Sequence, residues 1–99
     1  MASLKPNEKQ LEALLRLNVR RAGGLTEKLA PTRKGMPDRL VILPGRRMFL
    51  IELKAEGGKV SPAQKLFHEE ARRCGIVVIV LTGEDQVLEW LKRVGALHY

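Results

Sequence analysis

Glu52 and Lys54 leave the same face of a segment that otherwise reads as a buried strand, M-F-L-I-E-L-K from Met48 to Lys54. Two residues apart on a strand, their backbones stand about 6.5–7 Å apart and their side chains point the same way. An unpaired charge in such a place costs several kcal/mol or more, so a carboxylate and an ammonium here call for a purpose. Upstream, Pro37-Asp38 opens the apolar run R-L-V-I-L, Arg39 to Leu43, and P-G-R-R separates the two runs. If they form a hairpin, its register decides whether Asp38 joins the pair. A four-residue loop pairs Leu43 with Met48 and puts Asp38 opposite Leu53, on the wrong face. A three- or five-residue loop, a bulge, or a place just outside the ladder brings Asp38 in beside Glu52 or Lys54, and one of these departures is expected.

Two converging carboxylates are the minimum scaffold for Mg²⁺, which takes oxygen ligands and keeps several waters. A neighbouring lysine can orient or deprotonate a metal-bound water, or neutralise charge on a phosphate in the transition state. The chain is basic, with 18 Lys and Arg against 11 Asp and Glu for a net charge of +7. That excess suits a polyanion, nucleic acid ahead of an acidic membrane surface. Acids, a lysine and a divalent metal on a basic protein point to phosphodiester hydrolysis.

The elements that must position these residues can be read in order. The 99 residues, 44% hydrophobic with four aromatics, suit one globular domain over residues 1–99 with an aliphatic core. Asn7 caps a first helix that runs to about Arg21 and is stopped by Gly23-Gly24, with Leu11, Leu14, Leu15 and Val19 as its buried stripe. L-T-E-K-L (Leu25 to Leu29) is a weak strand, and A-P-T-R-K-G-M-P-D is a loop. Strands follow over Arg39–Leu43 and Met48–Ala55. S-P-A-Q starts a second helix, with Ser61 as N-cap, Pro62 at N1 and Gln64 at N3, reaching about Cys74. I-V-V-I-V-L, Ile76 to Leu81, is apolar throughout and predicts a central strand covered on both faces. A last helix over about Glu84–Val94 turns Val87, Leu88, Trp90, Leu91 and Val94 inward, so Trp90 is core. The order α, β, β, β, α, β, α gives an α/β fold with a small mixed sheet flanked by helices.

Cys74 is the sole cysteine, so there is no internal disulfide, and with two distant histidines no zinc site of the usual kind. The N-terminal M-A-S-L-K-P-N-E-K-Q lacks a signal-peptide core, and no apolar run approaches a membrane span. A cytoplasmic protein is expected.

The combination of G-M-P-D-R, E-L-K and S-P-A-Q resembles the VRR-NUC branch of the PD-(D/E)xK nuclease superfamily, from Glu8 to about Leu81. That resemblance implies a restriction-endonuclease-like αβββαβ core, here with a C-terminal helix added. It also implies Asp38 and Glu52 as metal ligands with the Leu53 carbonyl, Lys54 as catalytic lysine, Gln64 as motif glutamine, and an acid on the first helix. Glu8 lies closer than Glu12 to the Leu11/Leu15 stripe and is preferred for that acid; charge compensation at the helix start is the competing role. Gln64 equally suits a capping box with Ser61, and the two roles can combine. Lys28 matches a family lysine preceding the P-D loop. With Arg33, Lys34, Arg39, Arg46, Arg47 and Lys59 it would form a phosphate-binding rim, although each alone reads as a solvated surface charge. His68, one helical turn after Gln64, reads as a partly buried helix histidine ahead of a residue bordering the site.

The expectation is therefore a Mg²⁺- or Mn²⁺-dependent DNA endonuclease, selective for DNA structure in the manner of small phage nucleases and Holliday junction resolvases. Cutting two strands symmetrically needs two sites, hence a homodimer. Its rivals are a nicking or restriction-associated subunit that needs a partner protein, and a non-catalytic DNA-binding module whose stability divalent metal leaves unchanged.

Overall fold

The structure, a computed structural model, describes residues 5–97. Met1–Leu4, part of the stretch read as lacking a leader, lie outside the described residues, as do the last two residues. The elements run α1 (Glu8–Arg21), β1 (Leu25–Lys28), β2 (Arg39–Leu43), β3 (Arg47–Lys54), α2 (Pro62–Arg73), β4 (Val78–Thr82) and α3 (Gly83–Arg93). The sheet has the order β1-β2-β3-β4, antiparallel through β3 and parallel between β3 and β4. This is the expected small mixed sheet flanked by helices, α/β in class.

Both helix starts that frame the site are closed by capping boxes. Asn7 accepts from the Gln10 N–H while the Gln10 side chain accepts from the Asn7 N–H, and Ser61 and Gln64 repeat the arrangement on α2. Each box satisfies two backbone donors that a helix start otherwise leaves unpaired.

The core lies on one face of the sheet. Leu11, Leu15 and Val19 of α1 pack with Val87, Trp90 and Leu91 of α3 against Val41, Leu43, Ile51, Leu53 and Leu81. Phe49 meets Trp90 edge to face, with ring centroids 5.2 Å apart. Strand alternation sends Glu52 to the opposite face, under α2.

One reading of the sequence needs correction. The Ile76–Leu81 run does not make a central strand: β4 is an edge, and Ile76 and Val77 precede it, exposed. Its apolarity follows from the parallel crossover, which lays α2 and α3 against it without needing a second neighbouring strand.

Candidate active site

The hairpin loop resolves the register. Leu43 pairs with Arg47, so the loop is Pro44-Gly45-Arg46, the three-residue alternative. Gly45 and Arg46 both take positive φ, 88° and 64°, the left-handed conformation that short hairpin loops use. Arg39 then faces Ile51, and continuing the register sets Asp38 level with Glu52. Asp38 stands just outside the ladder and turns in: its Oδ2 accepts a hydrogen bond from the Leu53 N–H at 2.8 Å.

Glu52 is only 1% exposed. Its Oε2 accepts from Gln64 Nε2 at 2.9 Å, while Gln64 Oε1 accepts from the Ser61 N–H at 2.8 Å. A single glutamine thus closes the α2 cap and fixes the carboxylate. Oε1 of Glu52 is buried without a hydrogen-bond partner. Opposite it, 3.5 Å away, stands His68 Nε2, likewise buried and unpartnered.

The electrostatics follow. Burial first, then the charge of Asp38 and a hydrogen bond with it, push the Glu52 carboxyl up to about 8; Glu8 adds to the rise and Lys54 opposes it. Without a metal, burial and the neighbouring Asp38 therefore favour the protonated form of Glu52. Burial and the Lys54 charge lower the His68 pKa, favouring its neutral imidazole. A carboxylate oxygen with no donor in a closed setting is an atom that a cation satisfies. The donors here fit a hard divalent ion: Asp38 and Glu52 on one face, with the Leu53 carbonyl in the main chain between the charged residues of β3. No group of three or more His, Cys, Asp or Glu stands ready to cage a metal among the described residues. An open site with one or two carboxylates and retained waters is how Mg²⁺ is commonly held.

The two acids of α1 are separated by their partners. Glu12 bonds to Arg39 Nη1 at 2.8 Å, whereas exposed Glu8 lies near enough for its charge to act on Glu52.

The basic rim is smaller than the sequence suggested. Arg39 does not belong to it: the residue is 5% exposed, held by Glu12 and by Thr26 Oγ1 and O on the α1 face of the sheet. Arg46 and Arg47 sit at the hairpin tip, roughly 17 Å along the strands from Asp38, and Arg47 donates to the carbonyls of Pro44 and Val94. Lys28 is opposite Arg39 in the ladder and so on the α1 face. Arg33 pairs with Glu70 and lies over the Phe67 ring, which ties the 30–38 loop to α2. Lys34 and Lys59 stay exposed.

Gly35 is the contact that holds the two halves of the site together. It has φ +90°, and a Cβ there would stand 2.2 Å from Ala63 O and 2.9 Å from the Gln64 N. Asp38 lies just beyond it on one side, and Gln64 starts the helix on the other. Gly35→Ala is expected to cost roughly 1–3 kcal/mol of stability through strain and close contact. It should also slow cleavage about 100-fold by separating Asp38 from Gln64. Thermal melts and cleavage rates of the variant check both numbers; a wild-type rate would show that the loop does not set the geometry.

A four-stranded mixed sheet with an acid at the start of β2, Glu52 and Lys54 on β3 and a glutamine at a helix start defines a small nuclease-type α/β domain. The profile of the VRR-NUC domain matches residues 5–85. A protein of Acyrthosiphon pisum secondary endosymbiont phage 1, named "Putative nuclease p44", is 40% identical over 79 residues, covering 79% of this chain and 85% of that protein. A solved structure described as a VRR_NUC domain superposes with a TM-score of 0.77 at 34% identity, covering 87% of this chain and 94% of the other. The chain belongs to the VRR-NUC family.

Proposed function

We propose that the protein is a divalent-metal-dependent DNA endonuclease, using Mg²⁺ or Mn²⁺ and selecting branched DNA such as four-way junctions. The observation that carries the reading is Glu52: a carboxylate buried to 1%, beside Asp38, with one oxygen fixed by Gln64 and the other unpartnered. A bound divalent ion would supply charge neutralisation and a more acidic water. Asp38, Glu52 and the Leu53 carbonyl would hold it. Gln64 orients the carboxylate, Glu8 adds negative charge from α1, and Lys54 offers a positive charge to the scissile phosphate. Lys34, Lys59 and Arg33 are the cations left to bind flanking phosphates. Such an enzyme would act in the cytoplasm of a host cell, a reading supported by the similarity to a phage protein.

Junction resolution needs two such sites, so a homodimer belongs to the proposal. Exposed Ile76 and Val77, at the start of the free β4 edge, offer it an apolar surface.

Incubation with linear, forked, flap and four-way DNA, with and without Mg²⁺ or Mn²⁺, tests the reading. Metal-dependent cutting of the branched substrates is expected, and no cutting of any substrate under any condition would defeat it. Raising salt from about 50 to 200 mM should weaken DNA binding by orders of magnitude if six or more phosphates are contacted. A flat salt response would remove the phosphate-rim assignment.

A further inference from the structure

We infer that the exposed flank of α1, carried by Lys9, Arg16 and Arg20, binds the phosphate backbone of the duplex that leads away from the site. The inference rests on the DNA substrate proposed above and adds a surface that the motif residues do not include.

Lys9, Arg16 and Arg20 are all exposed. At about 100° per residue they fall within roughly 40° of one another, on a face turned from the buried Leu11, Leu15 and Val19. From Lys9 to Arg20 the row covers about 16 Å of helix, or roughly five phosphate steps of one DNA strand. It starts beside Glu8, whose charge reaches Glu52, so it begins at the site and runs away from it along α1. Lys28, on the α1 face of β1, extends the patch at the site end.

These cations break the local rules of helix stability. Lys9 lies in the first turn, where the helix dipole favours an anion and disfavours a cation. Arg16 and Arg20 are like charges one turn apart and repel. The usual remedy, an acid a turn away, is missing. Glu12 is the sole acid between Lys9 and Arg20, and Arg39 holds it at 2.8 Å on the sheet side. Among the described residues no ion pair forms with Lys9, Arg16 or Arg20. A solvated helix face is built differently on α3, where Glu89 and Arg93 pair at i,i+4.

A phosphate backbone relieves both costs, because it brings negative charge to the helix start and screens Arg16 from Arg20. Exposed Ala13 lies in the row between Lys9 and Arg16, and its methyl leaves room for a sugar-phosphate chain to come close. Arginine matches phosphate oxygens with two N–H groups at once. Such contacts position DNA and read no base.

Anisotropy of a labelled four-way junction, in EDTA and across a salt series, separates this surface from cleavage. Lys9→Gln/Arg16→Gln/Arg20→Gln should lose about 10–100-fold in affinity at about 100 mM salt, and its log–log salt slope should flatten by about 2–3. Arg16→Lys/Arg20→Lys, which keeps both charges, should stay within about threefold of the wild type. The glutamine variant should melt no lower than the wild type, because it loses only unfavourable charge contacts. Acetylation of the wild-type protein gives a reading that needs no variant: junction DNA should protect Lys9. A glutamine variant with wild-type affinity and slope, or Lys9 acetylated equally with and without DNA, overturns the α1 assignment and leaves the nuclease reading intact. Wild-type protein that binds no DNA, in EDTA or in Mg²⁺, overturns both.

Discussion

Lys54→Ala is expected to lower the single-turnover cleavage rate by about 10³ while changing metal affinity by less than about tenfold. Lys54 is the last residue of β3, in register with Thr82, and its charge is felt at both Glu52 and His68. Placed there, it can stabilise negative charge on a phosphate or orient the attacking water; as a cation it cannot ligate a metal. Removing it has two opposed effects on the ion. The pKa of Glu52 rises further, so a proton competes better with metal near neutral pH, while the repulsion between ammonium and cation disappears. The two offset each other near neutral pH, and well above the Glu52 pKa, where the proton no longer competes, the variant should bind metal at least as well as the wild type. Calorimetric titration at pH 7 and pH 9, beside cleavage at saturating metal, separates the effects. Loss of metal affinity as large as that of Asp38→Asn would mean that Lys54 supports the carboxylates structurally and does not act on the substrate.

The strongest local signals in the sequence proved sufficient where one residue type has one physical job. Asn7 and the Ser61/Gln64 pair marked both helix starts, and Arg39–Leu43 is a strand at the bounds its apolar run suggests. Asp38, Glu52 and Gln64 could be brought together because β periodicity and a capping box each leave few placements. The hairpin register stayed open because it turns on Arg46 in a left-handed conformation, which its side chain does nothing to favour. The cations were harder. Arg39 follows the candidate-site aspartate Asp38 and looks like a phosphate contact, but strand alternation sends it to the other face, where Glu12 and Thr26 satisfy it. Lys28 goes to that face for the same reason. The β4 run misled because apolarity reports coverage by helices and says nothing of how many strands lie alongside. His68 carried a usable signal, its helical spacing from Gln64, whose weight depended on knowing that the carboxylate beneath α2 has two oxygens to satisfy.

The largest stability effect should come from Glu52→Gln, and its sign depends on pH. The Glu52 pKa, about 8 in the folded protein, lies above its usual 4.5, so the folded state binds a proton that the unfolded chain has released. The stability this proton confers is fully present below about pH 4.5. It is lost as pH rises towards 8, at up to about 1.4 kcal/mol per pH unit. The metal-free wild type should therefore weaken by roughly a few kcal/mol between pH 5 and pH 8 and then level off. Glu52→Gln replaces the carboxyl by a neutral group of the same shape. The introduced amide can still accept from Gln64 through its oxygen, and its NH₂ can donate to His68 Nε2. The variant should lack this pH slope and be more stable than the metal-free wild type at pH 8.5, by roughly a few kcal/mol. Mn²⁺ or Mg²⁺ should stabilise the wild type in a concentration-dependent way, most strongly at pH 8 and above, and leave the variant unmoved. Cleavage by the variant should vanish. Urea unfolding at pH 5, 7 and 8.5, with and without metal, reads all of this in one series. A wild type that gains stability from pH 5 to pH 8, with Glu52→Gln less stable throughout, would make Glu52 an ionised structural partner and remove the physical basis for a metal at this carboxylate.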